Sequence, residues 1–232
     1  MLNNHQFRLY FVLIIFALSG CTNADLFTET LETTLTEEEE AKDQPVIDGV
    51  WDTGEWDQAH HYPFADGSEL YLLKSEEYLY LGIRSFPAEM IAGNIFLNSS
   101  DQITILHTSA ALGTAIYQGE GETWLKTQDF EWCCRSRIES EEATGARMAF
   151  FDQHGWLGIN SFMGNENELE YKIQLVGSEN YLAVNFLSAD DPERKLIWPM
   201  DVVDGPAQPI DGGFPEEMEF SPQNWFDLEE LD

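Results

Sequence analysis

Residues 168–175 alternate without interruption: Leu169, Tyr171, Ile173 and Leu175 stand against Glu168, Glu170, Lys172 and Gln174. A period of two predicts a strand with one face in a core and the other in water. Shorter runs repeat the signal. Residues 70–73 and 78–84 flank the polar Lys74–Glu77 link and read as a hairpin, with Leu79, Leu81 and Ile83 facing inward. Residues 94–97 and 102–107 surround a Ser99, Ser100, Asp101 turn, and residues 114–117 and 123–126 lie either side of Gly119 to Gly121. Residues 146–151 and 156–159, joined by 152–155, read as another hairpin. Residues 181–187 are the natural partner of 168–175. The tail holds Pro192, Pro199, Pro206, Pro209 and Pro215 and reads mostly as loop, with residues 221–228 as a last edge strand. Many short, closely spaced strands predict an all-β fold, a two-sheet antiparallel sandwich of jelly-roll-like form.

The pattern is absent before residue 46. Arg8 precedes an apolar run over residues 9–18, too short to span a bilayer and suited to an export signal. The run ends in Leu18, Ser19, Gly20 and Cys21. This resembles the bacterial lipobox, in which the cysteine is acylated and becomes the mature N-terminus; the competing reading is an ordinary signal peptide with a chance cysteine. Acyl chains on Cys21 would supply the multiple apolar anchors that stable membrane attachment needs. Thr22 follows where inner-membrane retention would favour Asp, which resembles sorting to the outer membrane, on its periplasmic or surface side. Residues 22–44 are rich in Thr and Glu, and Glu37 to Glu40 repel one another, so they read as a solvated spacer. The expected organisation is a leader at 1–20, an acidic tether at 21–45 and one domain at 46–232.

That domain opens on Ile47, Asp48, Gly49, Val50, Trp51, Asp52, followed by Glu55, Trp56, Asp57 and Ala59. Two indoles among acids and glycines predict a tight, polar-edged clasp wedged into a core. Ile47, Asp48 and Gly49 with Glu55, Trp56 and Ala59 resemble the opening of carbohydrate-binding module family 9-like domains. Tyr78 to Leu81, the amphipathic stretch Glu168 to Leu175, and Pro222, Gln223, Asn224, Trp225 with Leu228 resemble later strands of the same family. The resemblance implies a DOMON-like β-sandwich, whose relatives bind sugars or haem and are not catalytic by themselves. No binding residue carries over from it, because the ligand loops do not align.

Charge narrows the partners. The chain of 232 residues has 11 Lys+Arg against 43 Asp+Glu, a net charge of −32. Nucleic acid needs clustered cations and is excluded, as is adsorption of the domain to anionic lipid. Sugar rings offer apolar faces and hydroxyl edges, so a glycan site needs indoles beside polar groups. Trp124, Trp132 and Trp156, with Arg135, Gln153 and Asn160, are the expected set; Gln128, Arg137 and His154 stand nearby in sequence. Packing inside the sandwich is the alternative role for each of these tryptophans. Trp51, Trp56 and Trp225 are assigned to the core, and Trp198 to neither role.

Cys133 and Cys134 are adjacent and point to opposite faces of a regular strand, so they read either as two separate thiols or as a strained vicinal disulfide beside Trp132. No metal site is expected. Asp48, Asp52, Glu55 and Asp57 as a calcium set lack a binding-loop spacing and read better as turn caps. Haem through His107, His154 or Met148 lacks two ligands placed to oppose each other. No nucleophile elbow or phosphate loop is present. The sequence therefore leads to a non-catalytic, lipid-anchored envelope protein that binds glycan or oligosaccharide, with a structural lipoprotein contacting an envelope protein partner as the alternative.

Overall fold

The computed structural model describes residues 44–86, 90–135, 141–160, 167–177, 179–188, 191, 194–207 and 213–232. The leader, Cys21, the tether through residue 43 and Arg137 lie outside them. Among the described residues the chain is a two-sheet, all-antiparallel β-sandwich. The smaller sheet has the order β1 (His60–Pro63), β2 (Glu69–Lys74), β3 (Tyr78–Arg84), β9 (Glu168–Gln174), β8 (Trp156–Asn160). The larger runs β11 (Lys195–Trp198), β10 (Glu179–Ser188), β4 (Ile91–Ser99), β5 (Gln102–Thr108), β6 (Ala111–Glu120), β7 (Thr123–Arg135), β12 (Glu217–Glu219), with β13 (Phe226–Asp227) added beside β10. The hairpins expected around Lys74–Glu77, Ser99–Asp101 and Gly119–Gly121 all form.

Between the sheets lies one apolar core. Leu79, Leu81 and Ile83 of β3 and Leu169, Tyr171 and Ile173 of β9 face Ile95 and Leu97 of β4, Leu106 of β5 and Leu182 and Val184 of β10. A second core lies on the far side of the larger sheet. There Phe96, Ile105, Ala115 and Tyr117 are covered by Val202, Phe214, Met218, Phe220 and Trp225 from the C-terminal segment. The proline-rich tail is thus a lid of apolar side chains, and Trp198 and Trp225 are both buried.

The sequence reading needs four corrections here. Residues 146–151 are not a strand: Glu141–His154 is an α-helix, α1, and the Gly155 N–H donates to the Phe151 carbonyl at 2.8 Å to end it. Ala, Met, Glu and Arg are strong helix formers, and two glutamates open the first turn. α1 carries the chain from β7 of one sheet to β8 of the other, burying Phe150 against Trp156. Second, β10 pairs with β4 and β11, not with residues 168–175, because the two strands belong to different sheets. Third, the polar face of β9 is covered over its first half, where Glu168 and Glu170 are buried, while Lys172 is half-buried and Gln174 exposed. Last, residues 221–228 keep only two strand residues, Phe226 and Asp227, after a 3-10 turn at Pro222–Asn224.

The clasp explains the buried acids. Trp51 and Trp56 lie tilted against each other, 5.2 Å between ring centroids, over the outer face of the smaller sheet. A Cβ on Gly82 would come within 2.7 Å of Trp51 Cη2 and 2.9 Å of Trp56 Cε2, so only glycine fits beneath them. Beside Gly82, Glu170 Oε2 accepts the Gly49 N–H at 2.9 Å.

Candidate functional site

Three of the six expected binding residues are interior. Trp124 is 3% exposed, and its Nε1 donates to the Gly121 and Phe220 carbonyls at 3.1 Å each. Trp156 is 2% exposed and donates to Thr114 Oγ1 at 2.9 Å. Asn160, also buried, donates to the Ile91 carbonyl at 2.8 Å. An indole packed on both faces offers no platform to a sugar, so these residues hold the fold. Gln153 is exposed on α1, away from β7's outer face, and the Arg135 side chain lies outside the described ones.

Trp132 is different, with 56% of its surface exposed. It stands on β7 opposite Gly113 of β6, on the outer face of the larger sheet. A Cβ on Gly113 would sit 2.9 Å from Trp132 Cε3, so the indole lies across the bare β6 backbone. One face of the ring is thereby used for packing and the other is turned to solvent. Phe130 flanks it at 4.9 Å and is itself braced by Phe214 at 5.2 Å. His107 meets it edge-on at 5.3 Å.

The polar half of the site runs along the same outer row: Asn185, Asn94, His107, Gly113, Trp132. Its hydrogen bonds have one consistent direction. The Pro206 carbonyl can only accept, so Asn185 presents Nδ2 to it at 2.7 Å. Asn185 Oδ1 therefore accepts from Asn94 Nδ2 at 2.6 Å, and Asn94 Oδ1 faces His107 Nδ1 at 2.7 Å. That nitrogen must donate, which leaves Nε2 as the acceptor. Burial pushes the His107 pKa down to about 4, so the ring is neutral at ordinary pH. The result is an exposed indole face beside a fixed, uncharged acceptor.

Of this row, sequence reasoning nominated Trp132 alone for sugar; His107 entered only as a haem candidate. The overlooked signal was Asn94 and Asn185, two amides in the middle of apolar strands, where asparagine is disfavoured unless its side chain is held.

The alternatives raised by sequence meet the structure as follows. Asp48 Oδ1 accepts the Val50 N–H, and both Glu55 oxygens accept backbone N–H groups, from Val46 and Asp52. Those two carboxylates are turn caps, and among the described residues no three His, Cys, Asp or Glu gather around a metal position. The haem candidates do not converge: His107 lies on the outer face of the larger sheet, Met148 is 52% exposed on α1, and His154 stacks on Phe150 at the mouth of the inter-sheet cleft. Cys133 is disulfide-bonded; the Cys134 side chain lies outside the described ones. No family model matches the chain, nor does any curated protein or solved structure.

Proposed function

We propose that this chain is a non-catalytic carbohydrate-binding lipoprotein, tethered to the bacterial outer membrane through Cys21 and the acidic segment to residue 45, with Trp132 as its sugar platform. One observation supports the reading above others: an indole spread over Gly113 with its outer face open, beside the neutral His107 acceptor. Sugar C–H faces stack on such a ring, and a sugar hydroxyl can donate to His107 Nε2.

A glycan array with residues 43–232, wild type and Trp132→Ala, tests this. Binding by the wild type, weakened at least about tenfold in the variant, is the expected result for loss of an aromatic anchor. A flat array for both proteins would sink the reading. The second reading, contact with an envelope protein, draws on Leu125, 55% exposed on the face of β7 opposite Trp132. It predicts a flat array together with capture of one envelope protein that Leu125→Ala fails to capture.

A further inference from the structure

The clasp, residues 44–59, lies on the outer face of the smaller sheet without joining it. Among the described residues its backbone–backbone hydrogen bonds are all internal: Glu55 to Asp52, Asp57 to Gly54 and Ala59 to Trp56. Side chains fasten it instead. Trp51 and Trp56 cover Gly82 of β3, Arg84 lies with Cζ 4.5 Å above the Trp51 ring, and the Tyr80 hydroxyl donates to Gln44 Oε1 at 2.7 Å. Half-buried Ile47 packs against the inter-sheet core, whereas Trp56, 4% exposed, belongs to neither core. A segment held this way can part from the sheet and leave the strand ladders whole.

Under the clasp sits Glu170 of β9, 1% exposed. Its Oε2 accepts the Gly49 N–H at 2.9 Å, and its Oε1 has no hydrogen-bond partner. An ionised carboxylate shut in with one hydrogen bond is costly, and protonation removes the charge. The charges facing it have the wrong sign: Asp48 and Glu55 from the clasp, and Glu168 from its own strand. The cations nearby are engaged elsewhere. Arg84 of β3 gives Nε and Nη2 to Glu168 at 3.1 and 3.0 Å, and its Nη1 approaches Glu69 of β2 at 3.6 Å. Lys172 of β9 holds its Nζ 4.1 Å from the Tyr78 ring centroid, and Lys74 of β2 binds Asp232 at 2.6 Å. On the other side, β8 has no charged residue. Burial first, then Glu55, Asp48 and Glu168, push the Glu170 pKa up to about 8 against the pull of the Gly49 N–H.

We propose that the clasp is a proton-held strap: it stays shut over a protonated Glu170, and loss of that proton releases residues 44–59 while the sandwich stays folded. Opening returns the carboxylate to water, where its pKa falls back toward 4.5. The hold on the clasp is therefore full below 4.5 and is lost as pH rises through about 8. The clasp continues from the acidic segment before it. On the lipid-anchor reading above, its release lengthens the membrane attachment by about 50 Å at full extension; the release itself does not depend on that reading.

The test incorporates 5-fluorotryptophan into residues 22–232, so that the seven tryptophans give one fluorine signal each. Trp51→Phe and Trp56→Phe variants assign two of them. As pH is raised from 5 to 9.5, the Trp51 and Trp56 signals should move together toward their positions in urea while the other five hold. Glu170→Gln keeps the shape without the charge and should hold all seven still. Asp48→Asn, at an exposed position, removes one opposing charge and should leave a larger share of the clasp shut at pH 9. Trp51 and Trp56 signals that stay fixed up to pH 9.5 overturn the proposal. So does movement of all seven together, which is global unfolding, and so does a Glu170→Gln titration that matches the wild type. No sugar or membrane enters these measurements, so a flat glycan array would leave the result standing.

Discussion

Glu170 and His107 are both buried and titrate in opposite senses. Burial pushes the Glu170 pKa up to about 8, helped by the nearby Glu55, Asp48 and Glu168 charges and opposed by the Gly49 N–H. The folded domain thus holds this proton more tightly than the unfolded chain does. Its contribution to stability is full below the ordinary carboxylate value of 4.5 and is lost as pH rises through about 8. Glu170→Gln keeps the shape without the charge, so chemical denaturation at pH 9 should find the variant more stable than the wild type, with the gap narrowing by pH 5. His107 runs the other way, because its folded pKa of about 4 lies below the ordinary 6.5. Its contribution is full above 6.5 and falls as the pH drops toward 4. A His107→Gln variant should lose less stability between pH 7 and pH 4.5 than the wild type does. At this scale the sequence was a poor guide. Trp56 was legible as core from its motif, and it is buried. Trp124 and Trp156 stood in strands just as Trp132 does, and nothing local distinguishes an indole that finds a second layer above it from one that does not.

Two elements carry the next lessons. The run Ala146 to Phe151 has the apolar density of a strand, yet it lies in the second and third turns of a helix whose buried positions, among the described side chains, are Arg147 and Phe150, three residues apart. An arginine on the buried stripe hid the helical period. Arg147 is 2% exposed, none of its guanidinium nitrogens has a hydrogen-bond partner among the described residues, and burial lowers its pKa to about 10. A buried unpaired charge is costly, and an apolar side chain of similar length removes that cost. Arg147→Met should therefore raise stability by about 1–4 kcal/mol in urea denaturation. Loss of stability instead would mean that the guanidinium has a partner in the folded protein. The clasp makes the complementary point. Its indoles sit on Gly82, so Trp56→Ala should cost about 3–5 kcal/mol, and Gly82→Ala about 1–3 kcal/mol by overpacking, both measured by thermal unfolding.

For the molecule as a whole, the net charge of −32 selects among glycans if the proposed carbohydrate reading holds. A polyuronate is repelled at low salt, while a neutral polysaccharide feels no long-range field. Affinity for a neutral glycan should hold constant between low and high salt, whereas any binding of a polyuronate should appear only as salt rises. Titration of each class over a salt series checks this. Periodicity alone determined the sandwich, most of its hairpins and the position of the clasp, because alternation and turn chemistry are local properties of the chain. Which strands share a sheet, that the proline-rich tail is a lid, that Glu168 and Glu170 are covered, and that Trp132 alone among the three expected indoles faces water were settled by tertiary structure. The physical reason is common to all of them. A strand's sequence specifies which residues share a face, but what packs on that face comes from distant segments, such as the Gly49 turn above Glu170, 121 residues away.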